Sequence, residues 1–222
     1  MKILLYFMIL FVFLTNINAI PVTGLQLWLD AGDNSTIIND INGYVERWKD
    51  KSGNNYDAVQ DTVASRPVLN STAFNGKAAI RFDGSNDGMT ISNINVTGDY
   101  TMYIVNKYYG SPTGRTLQSR DINWLLGLWN GNHGHYANGW ITYEKARYNP
   151  WISEAVRQSS TPYSFYYANG DYKGSNNVAG VPGHLGLVGG GMHNEQSKAD
   201  IAEIIIYNRV LSEVERNTVG SY

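Results

Sequence analysis

Two histidines stand two residues apart in the stretch NHGHYANGW, in a chain that has only four histidines. On a β-strand His133 and His135 would point to the same side, so they could share one zinc ion if a third ligand came from elsewhere. With Tyr136 they also offer the acid and base groups of a polysaccharide lyase, in which Lys145 or Arg147 would meet a uronate carboxylate. The glycines that flank the pair favour a turn or bulge over a rigid metal site.

Aromatic side chains crowd the same third of the chain, separated by Asn, Gly and His. They are Trp124, Trp129, Tyr136, Trp140, Tyr143, Tyr148 and Trp151. Flat rings stack on the apolar face of a sugar, while polar neighbours bond its hydroxyls; the alternative is that most of these rings fill a core. Strict alternation puts Trp140, Thr142 and Glu144 on one, more polar face of a strand. We therefore predict a carbohydrate contact surface, formed by Trp129, His133, His135, Tyr136 and Trp140.

Acidic residues lack the spacing that glycoside hydrolysis on a strand requires. A retaining glycosidase needs two carboxyl groups about 5–5.5 Å apart, which a strand supplies from positions two or four apart. Glu213 and Glu215 have that spacing but fall in a predicted helix. Asp200 and Glu203 differ by an odd number, so alternation predicts opposite faces. We expect a non-catalytic protein, with convergence of acids from separate strands as the alternative.

Four aspartates in turns, Asp30, Asp33, Asp83 and Asp87, are candidate calcium ligands. The loop DGSNDG starts like an EF-hand loop, but Ile94 stands where that loop needs its bidentate Glu. These carboxylates could instead cap turns through their own backbone. We therefore expect that the protein requires no cofactor, with calcium as an additional candidate ligand.

Hydrophobic residues recur with a period of two along most of the chain, as in the run from Leu25 to Leu29. Turn clusters rich in Gly, Asn and Asp separate these runs, and Asn169-Gly170 predicts a hairpin with a type I′ turn. Near the C-terminus, Ser212 and Glu215 form a capping box that predicts a short helix. The pattern predicts an all-β, two-sheet antiparallel sandwich that ends in a short helix.

The first 19 residues have the pattern of a secretory signal peptide: Lys2, an apolar run from Ile3 to Leu14, and a polar stretch ending at Ala19. The run is short for a membrane span, so we expect cleavage, with an uncleaved anchor as the alternative. One domain is expected from residue 22 to 222. After cleavage we expect no insertion into a membrane and a location outside the cell.

The net charge, the absence of cysteine and the glycosylation sequons limit the properties that we expect of the protein. The formal net charge is −2, and the basic residues are interspersed with acidic ones, so we expect no nucleic-acid partner. The chain has no cysteine, and its stability must come from its core. Three Asn-x-Ser/Thr sequons, at Asn34, Asn70 and Asn95, are candidate glycosylation sites.

Several segments, in order, are similar to laminin-G-like jelly-roll domains of the concanavalin A-like lectin/glucanase superfamily. They are LQLWLDAGD, VERWKDKSGNNYDAVQ, KAAIRFDGSNDGM, YYANG, LGLVGGG and DIAEIIIYNRVLSEVERNTVGSY. The resemblance implies two packed antiparallel sheets with the first and last strands as neighbours, and a rim where relatives often hold calcium. Trp28, Trp48 and Phe82 would fill the core between the sheets.

The residues and the resemblance together predict a secreted, non-catalytic domain that binds carbohydrate or glycoprotein. The superfamily also contains glycosidases, lyases and adhesion domains. A polysaccharide-degrading enzyme and a sugar-independent adhesion or structural module are therefore the alternatives.

Overall fold

The structure, a computed structural model, describes residues 20, 21 and 23–222, so the expected signal peptide at 1–19 lies outside it. Its strands are β1 (Leu25–Asp30), β2 (Ile37–Asn39), β3 (Val45–Trp48), β4 (Ala58–Val59), β5 (Val68–Phe74), β6 (Lys77–Asp83), β7 (Gly88–Ile91), β8 (Tyr100–Thr113), β9 (Leu117–Ser119), β10 (Trp124–Trp129), β11 (Asn132–Ala137), β12 (Trp140–Lys145), β13 (Trp151–Arg157), β14 (Ser164–Ala168), β15 (Asp171–Asn176), β16 (Leu185–Val188) and β17 (Ser197–Tyr207). Helix α1 spans Glu213–Ser221, and short 3₁₀ turns cover Asn34–Thr36 and Val63–Ser65.

The strands form two antiparallel sheets packed face to face. The first sheet has the order β15-β14-β13-β8-β17-β6-β5, with β1 paired to β17. The second has the order β12-β11-β10-β9-β16-β7-β4-β3-β2. The predicted all-β, two-sheet sandwich is confirmed, as is the pairing of the first strand with the last.

Alternation along the strands builds the core between the sheets. Leu27 and Leu29 of β1 point inward and are fully buried, as are Trp48 and Phe82. The expectation that Trp28 joins this core is wrong, because Trp28 lies between those two leucines in sequence and so points outward. There it packs in a second cluster with α1, and its indole N–H donates to Glu203 at 2.7 Å.

A bulge in β17 changes the predicted placement of two acids. Ile201 pairs with Asn106 and Glu203 with Val105, so one extra residue, Ala202, separates them. The extra residue puts Asp200 and Glu203 on the same outer face, and the prediction of opposite faces is wrong. Asp200 is fully buried and accepts two hydrogen bonds from Arg81, at 2.8 and 2.9 Å.

The two predicted local motifs have the expected geometry. Asn169 and Gly170 both have positive φ, 51° and 85°, and join β14 to β15 as a hairpin. Ser212 caps α1, with the Glu215 N–H donating to the serine hydroxyl and the Ser212 N–H donating to the Glu215 carboxylate.

Over the described residues, none of the helical segments has the length and apolar character that crossing a bilayer would require.

Candidate functional site

Strands β10, β11 and β12 form one edge of the second sheet and carry most of the predicted site. Residues paired across antiparallel strands share a face. Leu126 pairs with His135 and Leu128 with His133, and all four side chains point toward the other sheet. Trp129 and Tyr136, at alternate positions of β10 and β11, therefore lie on the opposite, outer face, where both are partly exposed.

A bulge in β12 determines which two of its aromatic side chains point outward. Tyr136 pairs with Trp140 while His135 pairs with Thr142, so Ile141 is the extra residue. Strict alternation puts Trp140 with Thr142 and Glu144, and puts Tyr143 on the other face. That prediction is wrong, because the extra residue turns Thr142 inward and brings Tyr143 to the outer face with Trp140.

Four rings meet on this outer face, and we call Trp129, Tyr136, Trp140 and Tyr143 the aromatic surface. Trp140 lies at its centre, with ring centroids 5.2 Å from Trp129, 5.2 Å from Tyr136 and 4.6 Å from Tyr143. Tyr143 is 51% exposed, and the other three rings are partly exposed. A cluster of exposed rings on a sheet face is typical of a ligand-contacting surface.

Gly134 keeps the centre of the aromatic surface flat. It pairs with Gly127 on one side and with Tyr143 on the other. A Cβ at this position would lie 2.8 Å from the Tyr143 Cβ and 2.6 Å from the Thr142 carbonyl oxygen. The missing side chain therefore lets β12 pack closely against β11 at Tyr143.

A shallow depression of about 420 Å³ adjoins the aromatic surface at Trp129. Its polar lining includes Asn130, Glu195 and Gln196. The Arg115 guanidinium holds the Glu195 carboxylate at 3.0 Å. Amide and carboxylate groups next to an exposed indole can bond hydroxyls of a ligand whose apolar face stacks on the ring.

His135 lies inside the sandwich and cannot contact a ligand in solvent. It is fully buried, and its Nδ1 is 2.8 Å from the Leu125 carbonyl oxygen. Since a carbonyl only accepts, Nδ1 carries the proton, and Nε2 can accept from the Tyr100 hydroxyl at 3.4 Å. Burial lowers the pKa of His135 to about 4, so the ring is neutral at pH 7.

His133 is also fully buried, stacked on Trp151 at 3.7 Å between ring centroids. Its Nδ1 lies 2.8 Å from the Tyr166 hydroxyl, which in turn lies 3.0 Å from the Ser153 hydroxyl. Burial lowers the pKa of His133 to about 4, although the Glu144 carboxylate opposes the shift. The placement of both imidazoles on a ligand surface is wrong, because the inward faces of β10 and β11 carry them.

The two histidines also do not complete a metal site or a lyase site in the described part of the chain. No group of three or more His, Asp or Glu side chains that could hold a metal ion occurs there. Lys145 and Arg147 are exposed, whereas both imidazoles face the interior. A substrate that reached these cations would not reach the histidines.

The four candidate calcium ligands form two separate pairs. The Lys51 ammonium binds both carboxylates of the first pair, at 2.8 Å from Asp30 and 3.2 Å from Asp33. In the second pair, Asp87 accepts the Asp83 backbone N–H at 2.8 Å. Asp30, Asp33 and Asp83 also cap turns, each accepting the backbone N–H two residues on, at 2.8, 3.1 and 2.7 Å. Calcium binding stays a prediction, which chelation tests.

The sequons lie at accessible positions. Asn34 and Asn95 are exposed, and Asn70 is partly exposed with its side-chain oxygen 3.3 Å from the Thr72 hydroxyl. Their glycosylation stays a prediction.

No protein-family model and no curated protein sequence matches the chain. By contrast, solved structures with the same fold do match it. Trypanosoma rangeli sialidase in complex with the inhibitor DANA superposes with a TM-score of 0.60 at 17% identity, over 91% of this chain. This chain spans only 33% of the sialidase chain.

Two further solved domains also share the fold. Domain 4 of a GH43 extracellular arabinanase from Geobacillus stearothermophilus, in complex with arabinotriose, matches with a TM-score of 0.58 at 15% identity, covering 89% of this chain and 98% of that domain. The binding domain of Paraclostridial Mosquitocidal Protein 1 matches with a TM-score of 0.59 at 15% identity, over 89% of this chain and 52% of that one. At these identities the likeness concerns the sandwich fold alone.

Proposed function

We propose that this chain is a secreted, non-catalytic, laminin-G-like domain that binds carbohydrate through its aromatic surface. The observation that carries the proposal is the contact of Trp129, Tyr136, Trp140 and Tyr143 on one exposed sheet face. Sugar rings stack on such faces, and the depression beside Trp129 supplies hydroxyl partners. The arabinanase domain that shares the fold was solved with arabinotriose, which supports this ligand class and suggests a first probe.

Two features support binding without catalysis. The imidazoles of His133 and His135, which the sequence offered as the acid and base, are buried and neutral at pH 7. The outward acids of β17 are already engaged, Asp200 by Arg81 and Glu203 by the Trp28 indole. A glycosidase would need two carboxyl groups free to reach one glycosidic bond.

The test is a glycan array that includes arabino-oligosaccharides, probed with wild-type protein, Trp140→Ala and Tyr143→Ala. Loss of a stacking ring removes about 1.5 kcal/mol, so each variant should bind its glycans about tenfold more weakly. Tyr148→Ala is the matched control, because Tyr148 is 62% exposed and outside the aromatic surface. Repeating the array with EDTA tests the calcium prediction.

Three results would count against the proposal. Binding that survives Trp140→Ala and Tyr143→Ala would place the carbohydrate site elsewhere. A blank array with folded wild-type protein would favour the sugar-independent adhesion module. Shortened glycans recovered from the array would show an enzyme.

A further inference from the structure

A second cavity lies on the outer face of the first sheet, away from the aromatic surface. It has a volume of about 330 Å³ and opens where β6 and the end of β8 meet the loops before β3 and β5. We call it the rim pocket, and its polar and aromatic lining is Tyr44, Arg66, Arg81, Asp83, Asp87 and Tyr109. The aromatic surface consists of Trp129, Tyr136, Trp140 and Tyr143 on the second sheet, so the two sites share no residue.

The rim pocket contains a ring and a donor that are fixed before any ligand binds. The Tyr109 hydroxyl donates to the Phe82 carbonyl oxygen at 2.9 Å, and the Arg81 guanidinium lies 4.1 Å from the centre of the Tyr109 ring. Nε and Nη2 of Arg81 bind the buried Asp200 carboxylate. Among the described residues its Nη1 makes no hydrogen bond, and the side chain is one-third exposed.

The acceptors of the rim pocket come from its two carboxylates. Asp83 accepts the Ser85 N–H through Oδ1 at 2.7 Å, and Asp87 accepts the Asp83 N–H through Oδ2 at 2.8 Å. In the described part of the chain, the Oδ1 atom of Asp87 receives no hydrogen bond. Burial raises the pKa of Asp87 to about 6, which is the result expected for a carboxyl short of partners.

The charges of the rim pocket favour a neutral ligand. Two guanidinium groups and two carboxylates line it, and Arg66 is already bound to Asp40 and Glu46, both at 3.1 Å. An anion would gain from Arg81 but would meet Asp83 and Asp87. Adjacent hydroxyls of a sugar suit this set, since each hydroxyl donates to a carboxylate and accepts from a guanidinium.

We propose that the rim pocket binds one residue of a neutral saccharide, whose ring stacks on Tyr44 and whose hydroxyls bind Arg81 and Asp87. Tyr44 is 43% exposed at the edge of the cavity and supplies the accessible ring face. The site does not depend on the aromatic surface. When one polysaccharide reaches both sites, the second contact is intramolecular and raises the overall affinity.

The experiment is an array of immobilised neutral and acidic glycans, probed with wild-type protein, Tyr44→Ala, Trp140→Ala and the double variant. Ile41→Ala is the matched control, because Ile41 is fully exposed in the same loop. Tyr44 makes no side-chain hydrogen bond among the described residues, and equal unfolding midpoints will confirm that its variant folds. We expect Tyr44→Ala to weaken binding of a set of neutral glycans at least tenfold, with acidic glycans and Ile41→Ala unchanged.

The outcomes separate the two sites. If Tyr44→Ala binds every glycan as wild type does, or if it affects only acidic glycans, the rim pocket proposal is overturned. If Trp140→Ala has no effect while Tyr44→Ala does, the rim pocket stands and the aromatic surface fails. A blank wild-type array overturns both.

Discussion

Single residues decide which side chains reach the aromatic surface. Ile141 is the extra residue that turns Tyr143 outward beside Trp140, and Gly134 leaves room for the Tyr143 backbone. A side chain at position 134 would push β12 away from β11. The surface therefore depends on a small residue as much as on large ones.

Gly134→Ala should lower the free energy of unfolding by about 1–3 kcal/mol, because the added methyl group overpacks against Thr142 and Tyr143. Glycan binding should weaken too, since Tyr143 must move. Gly98→Ala is the control: its Cβ meets no atom within 4 Å, and a change within about 0.5 kcal/mol is expected. Urea denaturation measures both. A Gly134→Ala protein as stable as wild type would contradict the close packing of β11 and β12.

The sequence predicts part of this surface. It predicts a contact surface that includes Trp129, Tyr136 and Trp140, and the structure brings these three rings together on one outer face. It misses Tyr143 and misplaces the histidines. Alternation alone does not show which face of a strand is buried, nor where a bulge shifts the pattern. The rim pocket is missed as well, because its lining comes from four separate segments.

At the scale of elements, α1 covers the outward apolar face of β17. Ile205 and Tyr207 pack with Leu211 and Val219 beneath the helix. The capping box fixes where the helix begins, and Arg216 anchors it to Glu154 at 2.7 Å. The Glu215 carboxylate binds Arg209 and the Ser212 backbone, which lowers its pKa to about 2.

Ser212→Ala should lower the free energy of unfolding by about 1 kcal/mol, because the N–H of Glu215 loses its hydroxyl acceptor. Ser160→Ala, an exposed serine outside any helix, should change it by less than about 0.5 kcal/mol. Chemical denaturation of the two variants at pH 7 compares them. Equal stability of both would mean that the helix does not depend on its cap.

Local motifs are the elements that the sequence predicts best. The Asn169-Gly170 hairpin and the capped helix depend on residues close together in the chain, so a local pattern specifies them. The full strand order of each sheet does not follow from the sequence, because pairing between distant strands leaves little local trace. The bulge at Ala202 is a case in point, since nothing in DIAEIIIY marks the break in alternation.

At the scale of the whole molecule, the titratable groups with shifted pKa values have opposite effects on how stability changes with pH. The pKa values of His133 and His135 fall to about 4, so their contribution to stability is present above about pH 6.5 and is lost as pH falls through 4. The pKa of Glu203 rises to about 7 and that of Asp87 to about 6, both through burial. Their contribution is full below about pH 4 and is lost as pH rises through 6 to 7. The unfolding free energy should therefore vary little between pH 5 and 7.

Glu203→Gln should separate these opposing effects. The amide oxygen can still accept from the Trp28 indole but the group cannot ionise, so at pH 7.5 the variant should be about 1–3 kcal/mol more stable than wild type. At pH 4.5 the difference should nearly vanish. Glu213→Gln, at an exposed helix position, should change stability by less than about 0.5 kcal/mol. A Glu203→Gln protein that is less stable than wild type at pH 7.5 would contradict a partly buried carboxylate whose ionisation lowers stability.

The central claim, that carbohydrate stacks on the aromatic surface, is tested most directly by NMR of the six indole N–H groups. Trp→Phe variants assign the signals, and the protein is then titrated with a glycan that it binds on the array. We predict shifts at Trp129 and Trp140, with the buried Trp48 and Trp124 unchanged. Saturable binding that leaves the signals of Trp129 and Trp140 in place would contradict the account.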